Sequence, residues 1–70
     1  MTNPALYVND RPSPWAPGKT VLAVLGEWSL AERKGIAVAV NGAVVPRSQW
    51  PKRSLEAEDR IVVIQATQGG

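Results

Sequence analysis

Large apolar residues recur along this chain with two different periods. Leu6 and Val8, then Ile36, Val38 and Val40, then Ile61 and Val63 stand at every second position, the spacing of strands whose two faces meet different surroundings. Val21, Val24, Leu25 and Trp28 instead fall at i, i+3, i+4 and i+7, one face of a helix. Thr20, just before them, suits the N-cap, where its hydroxyl accepts from an unpaired first-turn N–H. Gly26 weakens a helix by about 1 kcal/mol relative to alanine. A short helix is therefore predicted, ending near Trp28 or Leu30, with Ala31 to Gly35 as its exit loop.

The breaks between these stretches carry their own signals. Leu6 to Asn9 reads as a first strand turning at Asn9-Asp10, and Asn41-Gly42 joins Ile36–Val40 to Ala43-Val44-Val45. Asn-Gly between apolar runs marks a type I′ hairpin, because both central residues need positive φ. Pro12, Pro14 and Pro17 remove backbone donors, so residues 11 to 17 form at most an irregular edge strand that resists pairing with another chain. Pro46 ends the fourth strand, and Arg47 to Asp59 make a long connection anchored by Trp50 and Leu55. Residues 60–66 give the last strand.

The order strand, strand, helix, hairpin, strand predicts an α+β fold of one sheet on one helix. Parity points Leu6, Val8, Ile36, Val38, Val40, Ile61 and Val63 at the helix. The opposite face then collects Tyr7, Ala37, Ala39, Val62, Ile64 and Ala66, where a wetted sheet face would be polar. An exposed apolar patch of this kind marks a partner surface. It equally fits high β-propensity in a small protein, or burial between two copies.

Seventy residues make one domain, here residues 1–66, followed by a flexible tail of residues 67–70. With no cysteine and no histidine, thiol and imidazole catalysis and Cys/His metal sites are excluded, and no catalytic residue or metal ligand is assigned. A net charge of +2, from eight basic and six acidic residues, lacks the basic stripe of a nucleic-acid binder. No run approaches the length of a membrane span, and the start Met1-Thr2-Asn3-Pro4 lacks the basic and apolar regions of a signal peptide. The expectation is a cytoplasmic protein without a nucleic-acid or membrane partner.

What remains reactive is the end of the chain. Gly69 and Gly70 carry no Cβ, so they can thread a narrow channel and present a carboxylate to another protein's active site. Two terminal glycines can also be no more than a tail. Thr67 and Gln68 would offer main-chain donors and acceptors to a partner as an added strand.

The whole pattern, a last strand feeding Gly-Gly after this element order, resembles ubiquitin and the β-grasp sulfur carriers, with a mixed sheet of four to five strands on one helix. Within that group Val45-Pro46-Arg47-Ser48-Gln49-Trp50 is similar to the Val-Pro-Arg-x-x-Trp segment of the ThiS family of thiamin biosynthesis. The resemblance implies a sulfur carrier that is not itself an enzyme. A ubiquitin-activating-like adenylyltransferase would activate Gly70 with ATP, a persulfide donor would convert it to a thiocarboxylate, and a thiazole synthase would take the sulfur. The resemblance implies no bound cofactor, with ATP used by the partner. The outward face, with Arg47, would dock on these partners. Alternatives are the small subunit of molybdopterin synthase and a ubiquitin-like modifier. Two positions depart from the family: Glu58 where a glycine is usual, and Gln68 where a small apolar residue is usual. Trp50 reads as a core plug whose indole N–H needs a partner, and Trp15 as either a cover for the sheet edge or an exposed ring.

Overall fold

The computed structural model describes residues 4–65, which run in the order β1 (Ala5–Val8), β2 (Arg11–Pro14), α1 (Val21–Glu27), β3 (Ile36–Val40), β4 (Ala43–Val45), a 3₁₀ turn (Arg47–Gln49) and β5 (Arg60–Gln65). The strands form one sheet in the order β2-β1-β5-β3-β4. Only the central β1·β5 pair is parallel, so the sheet is mixed, with α1 on one face: a β-grasp fold. Among the described residues no helix is long and apolar enough to cross a membrane.

Both hairpins close on two-residue turns with left-handed backbone. Asn9 and Asp10 have φ of 50° and 68°, and Asn41 and Gly42 have 51° and 86°. Asparagine tolerates that region and glycine enters it freely, which is why these dipeptides turn tightly enough to follow the strand twist. The turns set the register, Val8 opposite Arg11 and Val40 opposite Ala43, and register decides which side chains face the helix.

In β2 the same register aims the prolines. The N–H of Trp15 donates to Pro4 O at 3.3 Å, so odd-numbered residues of this strand turn their main-chain groups toward β1. Pro12 and Pro14 therefore occupy the positions facing away from the sheet, where a missing donor breaks no ladder bond. Trp15 covers this end of the molecule: it is half-buried, and its indole Nε1 donates to Leu55 O at 2.8 Å.

The start of α1 is completed by the long connection. Val21 N donates to Arg53 O at 2.9 Å, Leu22 N to Trp50 O at 3.0 Å and Ala23 N to the Thr20 hydroxyl at 3.1 Å. Three N–H groups that a helix leaves without internal partners are thus satisfied from outside the helix. At the other end Leu30 N donates to Leu25 O and Ser29 N to Gly26 O, with Ser29 at φ 61°. This is a Schellman closure built on serine rather than glycine. It stops the helix at Glu27, one residue short of the Trp28 end expected from the spacing, with Trp28 as the C-cap.

The core joins Leu6, Val8, Val38, Val40, Val45 and Ile61 of the sheet to Val21, Val24 and Leu25 of α1, with Trp50 and Leu55 closing it from the connection. Ile36 and Val63, predicted to be inward, do face the helix but lie half-buried at the rim. Trp50 is 2% exposed, and its indole Nε1 donates to Val45 O at 3.0 Å. Among the described residues every buried side-chain nitrogen and oxygen has a partner.

Glu58, one of the two positions set apart in the sequence, has φ 70°. Its N–H donates to Ala5 O at 2.7 Å, fixing the turn into β5 against the start of β1. A left-handed non-glycine residue costs roughly 1–2 kcal/mol, while glycine gives back roughly 0.4–1 through the unfolded chain. Glu58→Gly is therefore expected to stabilise the fold by about 0.5–1 kcal/mol. Urea unfolding reads this as a higher midpoint at unchanged slope; a lower midpoint would show that the Glu58 side chain contributes more than its backbone costs.

Candidate functional site

β5 lies between β1 and β3 and ends the described residues, so its two faces determine what surrounds the start of the tail. Its inward residues, Ile61 and Val63, pack with the core cluster. Its outward residues are Arg60, Val62 and Ile64. Pairing aligns Val62 with Ala39, and Ala39 with Val44; one step further along β5, Ile64 stands beside Ala37. Residues opposite one another in a ladder share a face, so these five form one apolar surface. Val44 is 74% exposed, Ile64 60% and Val62 44%.

The patch expected from parity is thus present in its described members. Tyr7 and Ala39 are half-buried and Ala37 is exposed; Ala66 lies outside the described residues. Tyr7 sits at the polar margin, beside Arg60, whose guanidinium carbon is 5.6 Å from the ring centroid and whose Nη1 is 3.4 Å from Asp10 Oδ1. Val44 is missing from the sequence reading. The Asn41-Gly42 turn already contains it, because a two-residue loop pairs Val40 with Ala43 and so places Val44 beside Ala39.

Past Ile61, strand β1 no longer accompanies β5, and a side chain takes its place. Asn9 Oδ1 accepts from Val63 N at 2.8 Å, and Asn9 Nδ2 donates to Val63 O at 3.3 Å. The amide thereby continues the ladder by one residue. On the other side β3 accompanies β5 to the Ile36–Gln65 pair. The strand is held on both edges almost to its end, and the end emerges beside the apolar surface.

Arg47, read from sequence as a docking residue, makes its hydrogen bonds within the chain. Nη1 donates to Ala31 O at 3.1 Å and Nη2 to Arg33 O at 2.9 Å, and the guanidinium carbon lies 4.4 Å from the centroid of a Trp50 ring. These contacts lie at the helix exit loop, not in the sheet patch. The Val-Pro-Arg-x-x-Trp segment is accordingly a structural unit in which Pro46 ends β4, Trp50 enters the core and Arg47 stacks on it.

The remaining site residues, Thr67, Gln68, Gly69 and Gly70, lie outside the described residues. Within them no three of His, Cys, Asp or Glu gather as a metal site. What the described residues offer is a surface and a firmly held strand end.

Comparison with known proteins matches the model of the ThiS family to residues 5–70. The sulfur carrier protein ThiS of Escherichia coli (strain K12) is 36% identical over 66 residues, spanning 93% of this chain and 97% of its own. The crystal structure of the thiamine biosynthesis protein (ThiS) from Geobacter metallireducens has a TM-score of 0.78 at 25% identity, covering 94% of this chain and 99% of that one. An NMR solution structure of a thiamine biosynthesis protein from the same organism gives 0.68 at 24% identity, covering 94% and 87%.

Proposed function

This chain belongs to the ThiS family, and from that premise we propose that it is a sulfur carrier of thiamin biosynthesis whose cargo is held at the Gly70 carboxylate. It acts as a protein co-substrate of partner enzymes and is not itself a catalyst. The observation that supports this most is the match over residues 5–70, which takes in both the apolar face and the Gly-Gly end.

The chemistry follows from the weakness of a carboxylate as an electrophile. At neutral pH the α-carboxyl, with a reference pKa near 3.5, is ionised and attacks through oxygen. A ubiquitin-activating-like adenylyltransferase brings it to the α-phosphorus of ATP, and pyrophosphate leaves. The terminal sulfur of a persulfide donor then attacks the acyl carbon, and AMP leaves. A thiol cleaves the resulting acyl disulfide, releasing the thiocarboxylate, which a thiazole synthase consumes. Each displacement is easier than direct exchange of oxygen for sulfur, the general advantage of a covalent intermediate. No cofactor need reside on this chain. Gly69 and Gly70 supply steric clearance in the partner's channel, Thr67 and Gln68 supply main-chain groups, and the Val62–Ile64 face supplies the grip.

Intact-mass analysis tests the reading. Untagged protein incubated with the family's adenylating enzyme, ATP and a persulfide donor should gain the mass of one oxygen replaced by sulfur, and fragmentation should place it on Gly70. An unchanged mass, or a change elsewhere, would overturn the proposal. Thiamin auxotrophy of a deletion strain identifies the pathway served.

A further inference from the structure

We propose that Asn41 is a modification site: its side-chain amide is set to deamidate through the nitrogen of Gly42, and Asp59 with the main chain of Arg60 holds that reaction back. Of the three asparagines in the chain, Asn3 precedes a proline, which has no N–H to attack with, Asn9 precedes Asp10, and Asn41 alone precedes a glycine. A Cβ on the attacking residue hinders ring closure, and glycine has none. Both turn residues are exposed, and even a Cβ added to Gly42 would meet nothing within 4 Å, so water and base reach the site. The reaction needs only water. The Gly42 nitrogen gives its proton to solvent base and attacks Asn41 Cγ, the bond from Cγ to Nδ2 breaks, and ammonia leaves with a proton returned by solvent. Water then opens the five-membered imide at either carbonyl, leaving aspartate or isoaspartate at position 41. Nothing is oxidised or reduced.

The restraint lies in how the amide is tied. A main-chain N–H can only donate, so the amide atom 2.9 Å from Arg60 N is Oδ1, and Nδ2 is thereby turned to Asp59 Oδ1, also at 2.9 Å. Asp59 is itself fixed: its other carboxylate oxygen accepts from Glu56 N at 2.8 Å, and its main-chain carbonyl from Tyr7 N at 2.9 Å. Both atoms of the amide are held at the start of β5, so Cγ cannot swing over Gly42 until both bonds break. Deamidation undoes this arrangement permanently. The donor to Asp59 is gone, and a carboxylate then faces a carboxylate. Isoaspartate also lengthens the main chain by one carbon inside a two-residue turn. The pairing of Val40 with Ala43, and with it the place of Val44 beside Ala39, depends on that turn length.

The test is prolonged incubation of the full chain at mildly alkaline pH. Peptide mass spectrometry follows exchange of the side-chain nitrogen for oxygen at position 41, and isoaspartyl methyltransferase with labelled S-adenosylmethionine counts isoaspartate. The folded natural chain is expected to react about ten-fold more slowly, or slower still, than the same chain in concentrated urea, the factor that one hydrogen bond to a charged group supplies. Asp59→Ala, shown to be folded by circular dichroism, should recover about ten-fold of that rate. In urea, where folding plays no part, Gly42→Ala should suppress the reaction. Asn41→Asp, the product with an ordinary main chain, should unfold at a lower urea midpoint than the natural chain. Equal rates for the folded and unfolded natural chain would overturn the proposal. So would a folded Asp59→Ala no faster than the natural chain, an undiminished rate for Gly42→Ala in urea, or an unmoved midpoint for Asn41→Asp. If Asp59→Ala does not fold, the natural chain in its two states and Asn41→Asp decide the matter.

Discussion

Trp50→Ala is expected to remove roughly half of the stability of this domain at 25 °C. Removing a buried tryptophan costs about 3–5 kcal/mol, through lost transfer energy and the cavity left behind. A domain of this length has roughly 4–10 kcal/mol in total, at about 0.05–0.15 kcal/mol per residue. The loss extends beyond volume. Val45 O loses the indole donor at 3.0 Å, and Arg47 loses the ring on which it stacks, so the helix exit loop loosens with the core. The Trp50 main-chain carbonyl that accepts from Leu22 remains in the variant but must be held by a segment without its anchor. Far-ultraviolet circular dichroism against urea measures the effect. Trp50→Phe, which keeps most of the apolar volume but removes the donor, should lie between the two; a Trp50→Ala protein as stable as the natural chain would refute the assignment of Trp50 as the core plug.

The second large effect is expected to leave folding almost untouched. Ile64→Glu replaces an exposed side chain on the outward face, so the melting temperature should move by only a few degrees, within the usual range for surface changes. Binding to an apolar partner surface is another matter. Burying an isoleucine side chain is worth about 1.5–3 kcal/mol, and a carboxylate in its place must be desolvated without a counter-ion. KM for adenylation should therefore rise by about 100-fold or more, since each 1.4 kcal/mol is a factor of ten. Val44→Glu should act in the same direction, because β4 extends the same surface. Steady-state pyrophosphate release measures both. If neither substitution raised KM, this face would not be where the adenylating partner docks.

Much of this architecture is legible in the chain because its signals are local. The turn at Asn41-Gly42, the cap at Thr20 and the stop at Pro46 each depend on residues within a few positions, and each lies where local chemistry places it. Parity within single strands likewise identifies the outward face, and its extension to Val44 needs only the hairpin register. What could not be read depends on distance along the chain. The Asn9 amide bonds Val63 across 54 residues, and the Trp15 indole finds Leu55 O across 40. Arg47 reaches Arg33 O across 14 residues, so a side chain that sequence offers to a partner is engaged within its own fold. An arginine or an asparagine carries no periodic signature; only the assembled sheet determines which acceptor comes within reach. The left-handed backbone at Glu58 shows the reverse case, in which a conformation usual for glycine persists without it because Ala5 O and the Glu56–Asp59 turn hold it.

The two prolines of β2 also determine how this molecule would associate with itself. A sheet with a donor-rich edge can add strands without limit, and the product is a fibre. Here the outer positions of β2 carry Pro12 and Pro14, and β4, at the other border, is three residues long. Among the described residues, neither border of the sheet offers a second copy a long row of free donors. Crowded solutions of this protein should therefore not seed fibres through the sheet borders, and thioflavin fluorescence after prolonged incubation should stay at its starting level.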